Sequence, residues 1–325
     1  VGGYLSAPLQ PWDALICPSK AIRSAVRSII EAWELYFKER FKQVVTCPLE
    51  LPIIPLGVDT TKFANLVSDE KRTQQRNKLG ISDNEIVLLY VGRLNYLAKS
   101  NPLPLLIAGE EAAARTDTPL RILFNGYFND EPNKEAFDQA IDAICKNSTA
   151  TFVQHGDPDF PHGVWAASDV FCSLPDNIQE SFGLTPLEAM AAGLPIIASD
   201  WNGYRDTVRN GIEGITIPTY MPATSMGNEI AYRYFSGQFT YGDYLGAISQ
   251  STAVDVVSLT EAILKLANNL ELRATFGQAG KRRALECFEW SRIIAVHEEL
   301  WDELSLRRKG ADELAHTSDT NWFHP

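Results

Sequence analysis

An α/β fold built on a doubly wound parallel sheet is what this 325-residue sequence predicts. Three features predict it. Apolar runs of strand length at 86–91, 120–124, 151–154, 170–173, 196–198 and 214–217 alternate with segments of helical character. The connections between them are short and carry Gly or Pro. Residues 170–198 hold a complete strand, loop, helix and strand, the repeating unit of a parallel sheet.

In chain order, residues 12–18 read as a short strand, and Ser19 as the cap of a long helix ending near Gln43. Its apolar positions Ile22, Val26, Ile29, Ile30, Trp33, Tyr36, Phe37 and Phe41 recur at helical spacing. Its six basic residues outnumber its three acidic ones. That pattern suits a core-facing helix with a solvated outer face, and leaves open a helix lying on a membrane surface. Pro48, Pro52 and Pro55 then punctuate an extended segment. Strands and helices alternate from Glu85 onward: helices are expected from Asn101-Pro102, over 132–146, over 161–167 and over 204–209. Residues 218–253 break the alternation, with seven aromatics set among Gly, Ser and Thr. They read as an insertion, suited to an ordered loop over a ligand cleft, to a partner contact, or to an ordinary packed excursion. Helices are expected over 258–269, 271–287 and 291–308, the last capped by Ser291, with a loose tail from Gly310.

Composition narrows the function classes. Hydrophobic residues at 45% and charged residues at 22% describe a soluble globular chain with ample core for two domains or one large one. Binding nucleic acid needs clustered Lys and Arg, so a net charge of -12 argues against it. The same charge lends no support to strong attraction toward an anionic membrane, and no apolar run reaches the length of a membrane span. The five cysteines are scattered with no Cys-x-x-Cys pair, as expected of reduced thiols in a cytoplasmic protein, with Cys172 in the core.

The stretch that organises the chain runs over 180–199: Glu-Ser-Phe-Gly-Leu-Thr-Pro-Leu-Glu-Ala-Met-Ala-Ala-Gly-Leu-Pro-Ile-Ile-Ala-Ser. Thr185 reads as an N-cap, Pro186 as the first helical residue and Glu188 as the capping-box partner. Gly193 and Pro195 stop the helix. In a parallel sheet this loop and helix start sit at the carboxyl edge, where ligands bind. Free N–H groups and the helix dipole favour an anion there, and Gly183 lets a ligand approach the backbone. Glu180 and Glu188 add hydrogen-bond acceptors beside that anion site. A ligand with both phosphates and hydroxyls, such as a nucleotide sugar, fits.

The string Glu-Ser-Phe-Gly-x4-Glu-Ala-Met-Ala-x-Gly-x-Pro resembles the Glu-x7-Glu signature of the family-4 retaining glycosyltransferases, also called glycosyl transferases group 1, which have the GT-B fold. Ile54-Pro55-Leu56-Gly57-Val58-Asp59, followed by Phe63, resembles that family's crossing from its first domain to its second. The resemblance is densest over 86–216. It implies that 1–55 is the C-terminal part of an acceptor-side domain with its linker. On the same basis, 56–290 is a Rossmann-like nucleotide-sugar-binding domain with the insertion 218–253, and 291–325 a crossover helix and tail. The family's first domain normally holds far more chain than precedes residue 56, so the acceptor side is expected to be a remnant.

Site residues follow from the same resemblance. Gly92-Arg93-Leu94 with Lys99 matches the family's cations for the donor diphosphate, and Ser100 departs from the glycine common there. Arg can grip a phosphate with two prongs where Lys cannot. Glu188 is implied as the ligand of ribose hydroxyls and Glu180 as the ligand of the transferred sugar, within the catalytic group but not as its base. Backbone N–H groups of Phe182, Gly183, Leu184 and Thr185 would face sugar and phosphate oxygens. Gly92 lines the donor site, and His155 is a candidate contact for the base. Asp157-Pro158-Asp159 reads as a turn rather than a metal pair, so neither metal nor cofactor is expected. Asn202-Gly203 and Asp206 stand where the family often has Gly-Gly and Glu. The expected function is metal-independent transfer of a sugar, with retention, from a nucleotide-diphosphate donor to a glycan, lipid or small-molecule acceptor. The alternative is a module that binds nucleotide sugar without turnover. An epimerase or phosphorylase is a weaker reading, since no motif announces a lysine for pyridoxal. Peripheral membrane contact and oligomeric state stay open.

Overall fold

The structure is a computed structural model describing residues 3, 7–96, 99, 101–154, 163–223 and 227–315. Ser100, His155, Asp157 and Asp159 lie outside the described residues. The chain divides into two compact units, Val58–Glu289 and Val1–Gly57 with Trp290–Pro325.

In the second of these, α1 (Lys20–Phe41) starts where the sequence predicts, with the Ser19 hydroxyl accepting from the Ile22 N–H at 3.3 Å. The strand expected over 12–18 is reduced to isolated bridges, Ala14 with Glu50 and Cys17 with Ile53. The facing segment carries Pro48, Pro52 and Pro55, which have no N–H to extend a ladder. Cys17, Ile30 and Leu51 form the core beneath α1.

The unit Val58–Glu289 carries the predicted sheet. Its strands are β1 (Ile86–Val91), β2 (Leu120–Gly126), β3 (Thr149–Gln154), β4 (Val170–Ser173), β5 (Ile196–Ser199) and β6 (Gly214–Ile217). They lie in the order β3-β2-β1-β4-β5-β6, every neighbouring pair parallel. All six β1 residues are buried, which explains an unbroken rather than alternating apolar run: both faces of a parallel sheet are covered. Strand order reverses between β1 and β4, placing a topological switch point there.

Two helices precede β1 that the sequence reading passed over, α2 (Thr60–Leu66) and α3 (Asp69–Lys78), capped by the side chains of Asp59 and Ser68. Then come α4 (Leu103–Ala113), α5 (Glu131–Ile144), α6 (Gly163–Ala167), α7 (Leu184–Ala192) and α8 (Tyr204–Thr207). At the amino edge of the sheet Arg76 is buried and donates to the carbonyls of Ala167, Ser82 and Glu85 and to Asp169. Asp169 also accepts from the Val87 N–H at 2.8 Å, so this ion pair locks α3 to β1 at the end away from the switch-point loops.

The segment 218–253 carries regular secondary structure of its own. β7 (Thr219–Tyr220) pairs antiparallel with β8 (Ala253–Val254), and between them stand α9 (Asn228–Phe235) and α10 (Tyr241–Gln250). Thr240 and Asp243 form a capping box at the start of α10. The unit closes with α11 (Val256–Ala267), α12 (Leu270–Arg283) and a π turn over Ala284–Phe288. One core holds Leu89, Phe171, Leu187 and Met190, and a second holds Leu88, Leu106, Phe124 and Ile263. Alternate β1 residues fall in different cores, as side chains of one strand must.

The last helix, α13 (Trp290–Ala315), belongs with residues 1–57. It runs past Gly310, where a loose tail was expected, and Ser291 lies inside it rather than capping it. Ile293 and Leu300 anchor it on Ile54. Among the described residues no helix is long and apolar enough to cross a membrane.

Candidate functional site

Because β1 and β4 are parallel neighbours, the segments that follow them leave the sheet at the same edge. Gly92 and Arg93 follow β1, and the loop bearing Glu180 follows β4. Lys99 Nζ lies 2.6 Å from Glu180 Oε2, and Glu180 is 7% exposed. The buried Tyr90 hydroxyl donates to the Arg93 carbonyl at 3.1 Å. Burial pushes Tyr90 ionisation upward, the charges of Glu180 and Asp176 push it further, and Arg93 opposes them. Arg93 and Glu180, singled out in sequence, thus both act on one buried phenol, and Lys99 is paired with Glu180.

The loop between β4 and α7 is held by residues that the motif did not flag. Asn177 is buried, donates to the Lys99 carbonyl at 2.9 Å and accepts from the Gln179 N–H at 2.9 Å. Its own carbonyl accepts from the Trp201 indole at 2.8 Å, and the Ser199 hydroxyl donates to the Pro175 carbonyl. Asp176 beside it is 4% exposed, and its Oδ1 has no hydrogen-bond partner among the described residues. Burial raises its pKa to about 7 against the pull of backbone N–H donors. The available signal was position: two polar residues directly between an apolar strand and the Glu180 motif, at the ligand-binding edge.

The start of α7 differs from the predicted capping box. The helix begins at Leu184, its N-cap is Gly183 at φ +90°, and no side chain caps it. A Cβ at Gly183 would come 2.1 Å from the Tyr204 ring, so tertiary packing from α8, not Thr185, sets where the turn is made. Tyr204 is buried with its hydroxyl 2.9 Å from Ser173 Oγ. Gly203 packs as closely: a Cβ there would meet the Ser181 carbonyl oxygen at 2.3 Å and Phe182 backbone at 2.4 Å. Phe182 turns its ring onto Phe288 in the core, leaving only its backbone to the site. Gly92 and Thr185 are half-buried and Leu184 is exposed. Glu188 faces α2 instead of capping its own helix: burial raises its pKa and the nearby Lys62 lowers it.

Chemically, the edge offers uncapped helical N–H groups and the cations Arg93 and Lys99 for an anion, with Glu180 and Glu188 as acceptors for hydroxyls. Among the described residues no group of three or more His, Cys, Asp or Glu is arranged to hold a metal ion.

Residues 71–232 match the family model described as Glycosyl transferases group 1. This region belongs to that family. D-inositol 3-phosphate glycosyltransferase of Rhodococcus erythropolis is 30% identical over 172 residues, covering 52% of this chain and 37% of that protein. Alpha-monoglucosyldiacylglycerol synthase of Streptococcus pneumoniae is 29% identical over 195 residues, covering 57% of this chain and 37% of the synthase. The chain thus spans well under half the length of these relatives. Among solved structures, sucrose-phosphate synthase from Thermosynechococcus elongatus superposes with a TM-score of 0.59 at 20% identity, over 90% of this chain and 59% of that one. Anabaena HepE in complex with UDP and glucose gives 0.61 at 17% identity, over 90% and 63%. At such identities the structures establish a shared fold and nothing more.

Proposed function

We propose that this chain supplies the donor-binding half of a metal-independent, retaining glycosyltransferase acting on a nucleoside-diphosphate sugar. The observation that carries the reading is the 2.6 Å pairing of Lys99 with Glu180 across the β1/β4 switch point, beside the uncapped start of α7. Arg93 and Lys99 hold the diphosphate, and N–H groups of Phe182, Gly183, Leu184 and Thr185 point at its oxygens and at the sugar. As the glycosidic bond breaks, negative charge grows on the leaving phosphate, and fixed donors that need no reorganisation stabilise it. Glu180 binds hydroxyls of the transferred sugar and Glu188 those of the ribose. An acceptor hydroxyl attacks on the face from which the phosphate departs: the sugar–phosphate bond breaks as the new glycosidic bond forms, and the leaving phosphate takes the hydroxyl proton. The anomeric configuration is retained, so Glu180 orients the sugar without serving as a base. An acceptor hydroxyl is the other substrate.

Solved neighbours carry UDP or UDP-glucose, which makes uridine donors the first to test. Calorimetric titration with UDP-, GDP- and ADP-glucose, in magnesium and again in EDTA, checks the reading. It expects one base to bind, equally well in both buffers, and to bind at least tenfold more weakly to Lys99→Ala. Absence of binding by all three would remove the proposal, and binding only with magnesium would remove its metal independence.

A further inference from the structure

The helical pair α9–α10 presents an open groove of about 540 Å³ lined by Asn228, Tyr232, Tyr234, Phe235 and Tyr244. No residue of α9 is buried, and Phe235 is 92% exposed. An eight-residue helix without a buried face has little to hold it in water. It makes ring contacts, Tyr234 with Tyr244 at 5.1 Å and with Tyr241 at 6.0 Å, and lays Arg233 over the Phe239 ring. An aromatic surface of this kind marks a binding site. Its position says for what. Gln179 Nε2 donates to the Tyr241 hydroxyl at 3.2 Å, and Gln179 directly precedes Glu180. Tyr241 packs on Tyr234 at 6.0 Å and on Tyr244 at 6.4 Å, so the rings lining the groove connect through it to the residue that precedes Glu180.

We infer that this groove binds the acceptor as an oligosaccharide, its sugar rings stacked on Tyr232, Tyr234 and Phe235 and its leading end directed at Glu180. The inference rests on the donor reading above. Phenol and amide groups can pair with sugar hydroxyls while aromatic faces cover the C–H faces of the rings. Charge argues against an anionic lipid surface: on α9 the cation Arg233 is already paired with Glu229 at 2.8 Å, and α10 adds only Asp243.

The test is calorimetric titration of the chain with maltotriose, cellotriose, mannotriose and triacetylchitotriose, with and without saturating UDP. UDP binding, measured separately in the same samples, reports on the donor reading alone. At least one trisaccharide should bind, more tightly than its monosaccharide. Phe235→Ala and Tyr232→Ala should each weaken it at least fivefold while leaving UDP affinity and the thermal melt unchanged. Failure of all four sugars to bind overturns the inference even if UDP binds. So does undiminished binding by the two variants, or loss in the variants of vesicle binding or self-association instead of sugar binding.

Discussion

Lys99 Nζ and Glu180 Oε2 stand 2.6 Å apart although 81 residues separate them in the chain. Glu180 is nearly buried and Lys99 is one-third exposed. The pair thereby links the segment after β1 to the segment after β4, and each partner neutralises the other. A diphosphate seated on Lys99 competes with Glu180 for that cation. Lys99→Ala should weaken UDP binding by ~10- to 100-fold, the range for one hydrogen bond to a charged group. Glu180→Gln frees the lysine, so UDP affinity should hold or rise while sugar transfer falls. Equal loss of UDP affinity in both variants would contradict the competition.

Glu188 should separate nucleoside recognition from phosphate recognition. Glu188→Gln is expected to weaken UDP about tenfold, the scale of a charge-assisted hydrogen bond, and to leave inorganic pyrophosphate unaffected. Burial raises the Glu188 pKa above its ordinary 4.5. If the carboxylate form accepts from ribose, UDP affinity climbs as pH rises through that raised value and then levels off. Titrations with UDP and with pyrophosphate at several pH values would check both statements.

Much of this site was legible because it is local in sequence. The β1 run, the Arg93–Lys99 spacing and the string 180–195 each sit within a few residues and carry their own signal. α3 escaped because its burial is not apolar: Gln75 and Arg76 are its buried residues, so no hydrophobic period marks it. The Thr185 cap was a sound local inference overruled from a distance, since Tyr204 fills the space beneath Gly183 and fixes the turn. The hydrogen bond from Asn177 to Lys99 spans 78 residues, and that from Gln179 to Tyr241 spans 62. Contacts of that separation leave no periodicity to read.

Gly203 offers a test of how closely the loop must be held. In Gly203→Ala the new methyl meets Ser181 and Phe182 backbone, neither of which is a flexible side-chain end. Overpacking of this kind costs roughly 1–3 kcal/mol. Because the displaced atoms carry the N–H of Phe182, UDP affinity should fall along with the denaturant midpoint. Unchanged UDP affinity in a folded variant would show that this backbone is not part of the site.

Asp176 should give the stability a definite pH dependence. An unfolded aspartate titrates at about 3.9, whereas burial raises the folded group to about 7. Between those values the folded chain holds a proton that the unfolded chain has released. Stability therefore falls as pH rises across that window, and the penalty is complete above it. It amounts to a few kcal/mol, on the order of 1.4 for each pH unit of separation. Asp176→Asn removes the titration, so its advantage over the wild type should grow from pH 5 to pH 8 in urea melts. Parallel curves across that range would refute the assignment.

One diphosphate site shared by the segment after β1 and the turn into α7 is the core of the proposed function. A crystal structure with UDP bound tests it most directly. It should place the diphosphate within hydrogen-bond reach of both Arg93 or Lys99 and the N–H groups of 182–185, with the ribose at Glu188. A diphosphate held by only one of those two segments, or bound away from the β1/β4 edge, would contradict it.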